Sequence, residues 1–263
     1  MRLFDSHAHL DVAEFDGERD AVLQRARDAG VQDVLVPAID AAHWPGLAAL
    51  SCAQTGVHAA YGLHPMFLRG DVDADLDALP DWIDTHPTAA VGECGLDYFV
   101  EGLDGPLQER AFRRQLEVAR DFDLPVIVHA RRAVEAVLGH LRAVGGVRGI
   151  IHSYPGSFEQ AEQLHRLGFL IGIGGPVTYE RANRLRNLVA RAPLDWIALE
   201  TDAPDQPDAG HRGQRNEPMH LRAVLRCVAG LRDESEERIA EQTTANVRAL
   251  LRLDSSGAGA TTA

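Results

Sequence analysis

Two histidines one residue apart, His7 and His9, stand near the start of the chain. On a strand such a pair places both imidazoles on one face, about 6.6 Å apart along it, which suits a shared metal ion. Further along stand His64, Glu93, His129, His152 and Asp202, each at or just after the end of a short apolar run. Imidazole and carboxylate without thiolate suit Zn2+, Mn2+, Mg2+, Ni2+ or Fe2+ and do not choose among them. His7, His9, His129 and His152 with Glu93 and Asp202 are too many ligands for one tetrahedral ion. They suit two divalent ions sharing a carboxylate, an arrangement that polarises a phosphoryl oxygen and activates water near neutral pH.

Taken singly, each residue has a plainer reading. A His-x-His pair also packs in cores, and a glutamate after a strand also faces solvent. His129 and His152 follow runs that bury satisfied histidines, and Asp202 suits a cap. Taken together the plain readings strain. Several ionisable groups buried at one place are costly unless they are paired or bound to metal.

The elements that must position these groups alternate from end to end. Apolar, strand-like runs cover Arg2–His7, Asp33–Pro37, His58–Leu63, Ala89–Cys94, Pro125–His129, Gly149–His152, Phe169–Ile173 and Trp196–Thr201. Helical patterns lie between them, among them Gln108–Asp121, Glu159–Leu167 and Arg181–Arg191, and two more close the chain near Pro218–Leu231 and Glu234–Leu251. Strand and helix alternating eight times in roughly 250 residues predicts an α/β fold, a single-domain (β/α)8 TIM-like barrel. Its metal site belongs at the C-terminal ends of the strands, where the βα loops gather catalytic groups. A doubly wound sheet would carry a glycine fingerprint after the first strand, where this chain has Ser6-His7-Ala8-His9. The barrel is expected over residues 1–253, and 254–263, rich in Gly, Ala, Ser and Thr, read as a loose tail.

Composition bounds the partners. The chain has 263 residues and a formal net charge of −13, with 39 acidic residues against 26 basic ones. None of the 26 is lysine. A broad basic face for coating nucleic acid is excluded, as is a polybasic membrane anchor. Three widely spaced cysteines form no CxxC pair, so a thiolate zinc site and a disulfide framework are not expected, which fits a reducing, cytoplasmic setting. No run is long enough to span a membrane. A monomer is the default expectation.

The motifs resemble those of the TatD-like metal-dependent hydrolases of the amidohydrolase superfamily. The matching segments are Phe4-Asp5-Ser6-His7-Ala8-His9-Leu10-Asp11, Gly62-Leu63-His64-Pro65, Val91-Gly92-Glu93-Cys94-Gly95-Leu96-Asp97-Tyr98 and Leu124-Pro125-Val126-Ile127-Val128-His129. They continue with Ile151-His152-Ser153-Tyr154-Pro155-Gly156-Ser157, Leu199-Glu200-Thr201-Asp202-Ala203-Pro204 and Arg215-Asn216-Glu217-Pro218. The resemblance implies a metal-dependent hydrolase, commonly of nucleic-acid phosphodiesters. It implies that His7, His9 and Asp202 hold one ion, and that Glu93 bridges it to a second held by His129 and His152. Mg2+, Mn2+ or Zn2+ would serve. Asp202 would handle the proton of the attacking water, and His64 would meet the substrate. The chain departs from the family pattern at Tyr154, often Phe, and at Asp205-Gln206, often Tyr-Leu. Relatives in the superfamily that bridge their metals through a carboxylated lysine are excluded by the absent lysines, which leaves Glu93 as the bridge.

Secondary features point to the substrate side. Arg131, Arg132, Arg212 and Arg215 fall in expected βα loops, and the arginine fork suits phosphate. Tyr98 and Tyr154 are candidates to stack on a base, and Asn216 shares a motif with Arg215. Gly172-Ile173-Gly174-Gly175 reads as a tight turn needing positive φ or as a phosphate loop. Glu200 supports the metal ligands or pairs with an arginine. His43, His58, His86, His140, His165 and His220 lie off the strand ends and read as structural or exposed.

The function expected is a divalent-metal-dependent phosphodiesterase acting as a 3'-end exonuclease on single-stranded DNA, bound weakly at the barrel mouth. The alternatives are an ester or amide hydrolase on the same scaffold, such as an aminoacyl-ester deacylase or a small-molecule amidohydrolase, and a non-catalytic binding barrel.

Overall fold

The structure, a computed structural model, describes residues 1–253. The tail expected at 254–263 lies outside the described residues. Eight parallel strands run in sequence order around the sheet. They are β1 (Leu3–Asp5), β2 (Val31–Pro37), β3 (Val57–Tyr61), β4 (Ala90–Asp97), β5 (Val126–Arg131), β6 (Gly149–Ile151), β7 (Phe169–Ile173) and β8 (Ile197–Leu199). The helices are α1 (Arg19–Asp28), α2 (Trp44–Ala53), α3 (Val72–Thr85), α4 (Gly105–Asp121), α5 (Val134–Val144), α6 (Phe158–Arg166), α7 (Asn183–Arg191), α8 (Leu221–Arg232) and α9 (Glu236–Leu251). This is the expected (β/α)8 barrel. No described helix is long and apolar enough to cross a membrane.

Strand bounds differ from the sequence expectation where chemistry sits. β1 and β8 stop earlier than expected, because the two segments diverge into the site. They remain stitched across the seam: Ser6 N–H donates to Leu199 O (2.9 Å), Asp202 N–H to His7 O (2.9 Å) and His9 N–H to Ala203 O (2.7 Å). The bonds that close the barrel therefore pin three metal-ligand candidates together. β4 and β5 run further than expected: His129 lies within the β4–β5 ladder, opposite Gly95, whereas Glu93 sits at a register shift between Val91 and Cys94 and donates its N–H to Ala38 O (3.1 Å).

One residue from each strand fills the barrel floor: Phe4, Leu35, Ala60, Ala90, Ile127, Ile150, Leu170 and Ala198, closed from below by Val247 and Leu251 of α9. Bulky and small side chains interlock in such a layer. Above it the inward positions turn to glycine and imidazole. A Cβ on Gly172 would lie 2.2 Å from a carboxylate oxygen of Glu200, so only glycine admits that side chain. Helices pack their apolar stripes around the outside. In α4, Asp104 caps the first turn by accepting from Leu107 N–H, and Phe112, Leu116 and Ala119 face inward.

Two buried glutamines of the same helix reach the barrel rim. Gln115 accepts from Leu63 N–H (2.7 Å) and donates to Leu63 O (3.1 Å). Gln108 does the same for Asp97, at 2.7 and 3.2 Å. An apolar side chain at either place would leave a buried amide and carbonyl unsatisfied. The backbone just before His64 and at the end of β4 is thus held from behind.

Candidate metal centre

The six expected ligands meet at the mouth. His7 Nε2 lies 3.2 Å from Glu93 Oε2 and 3.5 Å from Asp202 Oδ1. His9 Nε2 lies 3.5 Å from Glu93 Oε2, 3.7 Å from Asp202 Oδ1 and 3.1 Å from His7 Nε2. The other carboxylate oxygen of Glu93 faces the opposite side. Oε1 lies 3.1 Å from His129 Nδ1 and 3.5 Å from His152 Nε2. Glu93 thus divides the ligands into two groups, one on each oxygen. His7, Glu93 and His152 are fully or almost fully buried.

The tautomers test whether this donor set fits a cation. His9 Nδ1 faces Pro37 O at 3.1 Å, and a carbonyl can only accept. A proton is therefore on Nδ1, which leaves Nε2, facing two carboxylates, as the position for a cation or a second proton. Lone pairs converging in a dry site are repulsive without a cation or an added proton between them. Divalent metal ions meet that need, and the oxygen and imidazole donors fit them.

Ionisation reflects the same crowding. Burial opposes a charge on Glu93, but His64, His7 and His152 around it hold its carboxyl well below the usual range. Burial likewise opposes a charge on His152, yet Asp202 and Glu93 push it up to about 10. His7 goes the other way, lowered by burial and by His152 despite Glu93. Such protons are displaced when a metal binds.

Supporting groups orient the ligands. His129 Nε2 bonds to Asp97 Oδ2 at 2.9 Å, which aims Nδ1 at Glu93. Asp97 sits four residues after Glu93 on the same strand, so an alternating pattern places both on one side. Asp97 belongs to one of the sequence motifs, but the sequence alone assigns it no role. His152 Nδ1 lies 3.5 Å from Glu200 Oε1, and the same oxygen accepts from Ser153 N–H. Of the two readings of Glu200, support of the ligands is the one found. Asp5, fully buried, accepts from Thr201 N–H (2.9 Å) and Oγ1 (2.6 Å), and burial pushes its carboxyl up to about 8. It ties the two ligand-bearing segments below the site. Gln206 donates its amide to Asp202 Oδ2 and accepts from Ser153 Oγ, so one of the unusual residues of this chain steadies Asp202. Asp202 itself has φ 59°, a left-handed backbone uncommon for a non-glycine residue and frequent at functional sites.

His64 enters the site in a different role. Its Nδ1 accepts from Met66 N–H (3.1 Å), which places the ring proton on Nε2. Nε2–H then faces Glu93 Oε1 at 3.3 Å as a donor. A donor of this kind suits an oxygen acceptor.

The remaining substrate candidates separate. Arg131 is exposed at the rim. Arg215 instead pairs with Glu18 (2.8 Å) and Glu217 (2.9 Å) and donates to Glu14 O. Asn216 is buried, with its amide shared among Thr201 O, Asp205 O and Gln206 O. Tyr154 is buried and donates its hydroxyl to Ser157 O (2.7 Å). The polar atoms of these three are engaged within the chain, where they shape the loops after β6 and β8. The positive φ expected for the glycine run after β7 is corrected. Gly172, Gly174 and Gly175 do not have positive φ. They give room to Glu200 and to the backbone at Gln206–Asp208.

Asp208, His211 and His220 form a further histidine–carboxylate group in the loop after β8. The two rings stack at 3.7 Å with an interplanar angle of 11°, so their lone pairs run parallel and do not converge.

Comparison with known proteins identifies the family. The family model described as TatD related DNase matches residues 4–252. The chain is 38% identical to the metal-dependent hydrolase YjjV of Escherichia coli K12, covering 96% of this chain and 98% of that protein. The crystal structure of the same relative superposes with a TM-score of 0.91 over 95% of this chain and 97% of that one. A 3'-5' ssDNA/RNA exonuclease TatD of Erwinia billingiae is 33% identical, covering 95% of this chain and 99% of its own length. The chain belongs to the TatD family of metal-dependent hydrolases.

Proposed function

We propose that the protein is a phosphodiesterase that removes nucleotides from the 3' end of single-stranded DNA, with two divalent ions divided by Glu93. The observation that carries the reading is the split of ligands between the two oxygens of Glu93. His7 and His9 face Oε2 and also meet Asp202 Oδ1, and His129 and His152 face Oε1. The relatives named as exonucleases support the choice of substrate.

When bound, the ions would supply an activated water and a clamp on the phosphoryl oxygens. Glu93 stays ionised and holds both halves in register. Asp202 keeps Oδ1 toward His7 and His9 while Gln206 restrains Oδ2, so its carboxylate is placed to take a proton. His64 offers Nε2–H to an oxygen of the phosphate or the leaving group.

The test is incubation of the purified chain with Mg2+ or Mn2+ and end-labelled single-stranded DNA, beside a Glu93→Ala control. Stepwise shortening from the 3' end is expected, and the control should be inactive. DNA surviving in both would sink the nuclease reading. Metal analysis is expected to approach two ions per chain, and fewer than about one would remove the centre itself.

A further inference from the structure

Acidic residues outnumber arginines by 39 to 26, so no arginine lacks a carboxylate for want of supply. On the outer wall the arginines are paired. Arg113 reaches Glu117 at 3.0 Å, Arg114 reaches Asp77 at 2.8 Å and Arg148 reaches Asp123 at 2.6 Å. Arg69, Arg131, Arg132, Arg181, Arg191 and Arg212 have no carboxylate or carbonyl partner among the described residues. Apart from Arg191, at the far end of α7, they all lie where strands give way to βα loops, after β3, β7 and β8 and at the end of β5.

Aromatic rings hold most of these rim arginines in place of acids. The Arg131 and Arg132 guanidinium carbons lie 3.8 and 4.6 Å from the centroid of Phe99. Arg69 lies over Phe67 at 5.9 Å and Arg181 over Tyr179 at 5.7 Å. A guanidinium on a ring is oriented without using its N–H donors, so the fork stays open to an anion. Phe99 and Tyr98 are themselves 44% and 41% exposed, which no packing need accounts for.

The strongest of these platforms is built onto the metal centre. Arg131 follows His129 by two residues, and its carbonyl accepts from Tyr98 N–H at 2.9 Å. Asp97, which aims His129, accepts with its other oxygen from Phe99 N–H (2.9 Å) and Val100 N–H (3.0 Å). One carboxylate therefore sets both a metal ligand and the aromatic support. We infer that Arg131 and Arg132 on Phe99 form the subsite that grips the phosphates of a single-stranded polynucleotide next to the bond being cut. Arg69, Arg181 and Arg212 continue the anion track around the mouth. The inference rests on the nuclease reading and deepens it. A small ester or amide would not need anion contacts spread over four loops, whereas a flexible chain of phosphates does. Unstacked bases can also lie on exposed rings and guanidinium planes, which favours a single strand.

The test measures binding apart from cleavage. Fluorescence anisotropy of a labelled, phosphorothioate-linked oligothymidylate is followed with the full Mn2+-loaded chain at several salt concentrations. The double variant R131Q/R132Q is expected to raise Kd about ten-fold or more. It should also flatten the slope of log Kd against log salt by about 1.4, or about 0.7 for each of two phosphates no longer neutralised on a single strand. F99A should weaken binding in the same direction. R113Q/R114Q, on the outer wall, should bind as wild type, and all variants should keep their metal. If the two double variants bind alike, if wild type does not bind, or if R131Q/R132Q loses metal, the inference is overturned. If the platform proves necessary for binding but ordinary DNA is not cut, the nuclease reading fails while the platform stands.

Discussion

The floor and the mouth of this barrel use nearly the same side chains to opposite ends. At the floor the buried Asp33 meets Arg2 at 3.0 Å, Arg248 at 3.2 Å and His58 at 3.0 Å. Two of these partners, Arg2 and Arg248, are permanent cations. At the mouth Glu93 faces imidazoles, and Asp202 faces imidazoles and the neutral Gln206 amide, so the only countercharges there depend on a proton. The floor is complete as it stands. The mouth asks for cations that the chain does not supply. A cluster of acids and histidines therefore marks a metal centre when its cations are titratable, and a structural anchor when arginines close it.

The comparison can be broken at several points. The largest expected effect is at Asp202. Asp202→Asn removes the group placed to take the proton and should lower kcat by roughly 10²–10⁴-fold with the fold intact, as judged by circular dichroism. Activity within a few-fold of wild type would leave Asp202 without a role in the reaction. Next is Asp97→Asn, which loosens His129 without removing a ligand. Metal affinity should fall by about 10–100-fold, measured by titration with Mn2+, and added metal should restore much of the rate. No change in affinity would make Asp97 a support of the loop alone.

The smallest effect belongs to the floor. Asp33→Asn should cost about 1.5–3 kcal/mol in stability, the range for hydrogen bonds to charged groups, and leave metal content and turnover unchanged. Burial opposes the Asp33 charge, but His58 and Arg2 outweigh it and hold its carboxyl below the usual carboxylate range. Because the folded pKa is depressed, this stabilisation is present above about pH 4 and is lost as pH falls through the folded value. Denaturant melts of wild type and variant should therefore differ by a constant amount from about pH 8 to about 5 and converge only in acid. Convergence at alkaline pH instead would show that Asp33 is not held ionised by its partners.

Much of the site was legible because barrel strands deliver their last inward residues to one rim. His7, His9, Glu93, His129, His152 and Asp202 follow from strand ends and motifs, and the structure brings all of them together. The supporting groups were harder to read. Gln108 and Gln115 look like ordinary helical polar residues until their amides are seen clamping Asp97 and Leu63. Asp97 itself was visible in a motif, but nothing local shows which imidazole it aims. The internal partners of the loop residues Arg215 and Asn216 were not legible, because position in a βα loop does not say which backbone or carboxylate a polar side chain meets.

The sequence by itself determined the strand–helix alternation, the barrel, the six ligand candidates and, through the absent lysines, that no carboxylated lysine can serve in the centre. Apolar runs, turn residues and residue chemistry are local properties and can be read along the chain. Only the tertiary structure decided which oxygen of Glu93 each histidine faces, which tautomers His9 and His64 adopt, and which arginines go without an acid. Those depend on groups far apart in sequence competing for the same hydrogen-bond partners, a competition settled only when the barrel closes.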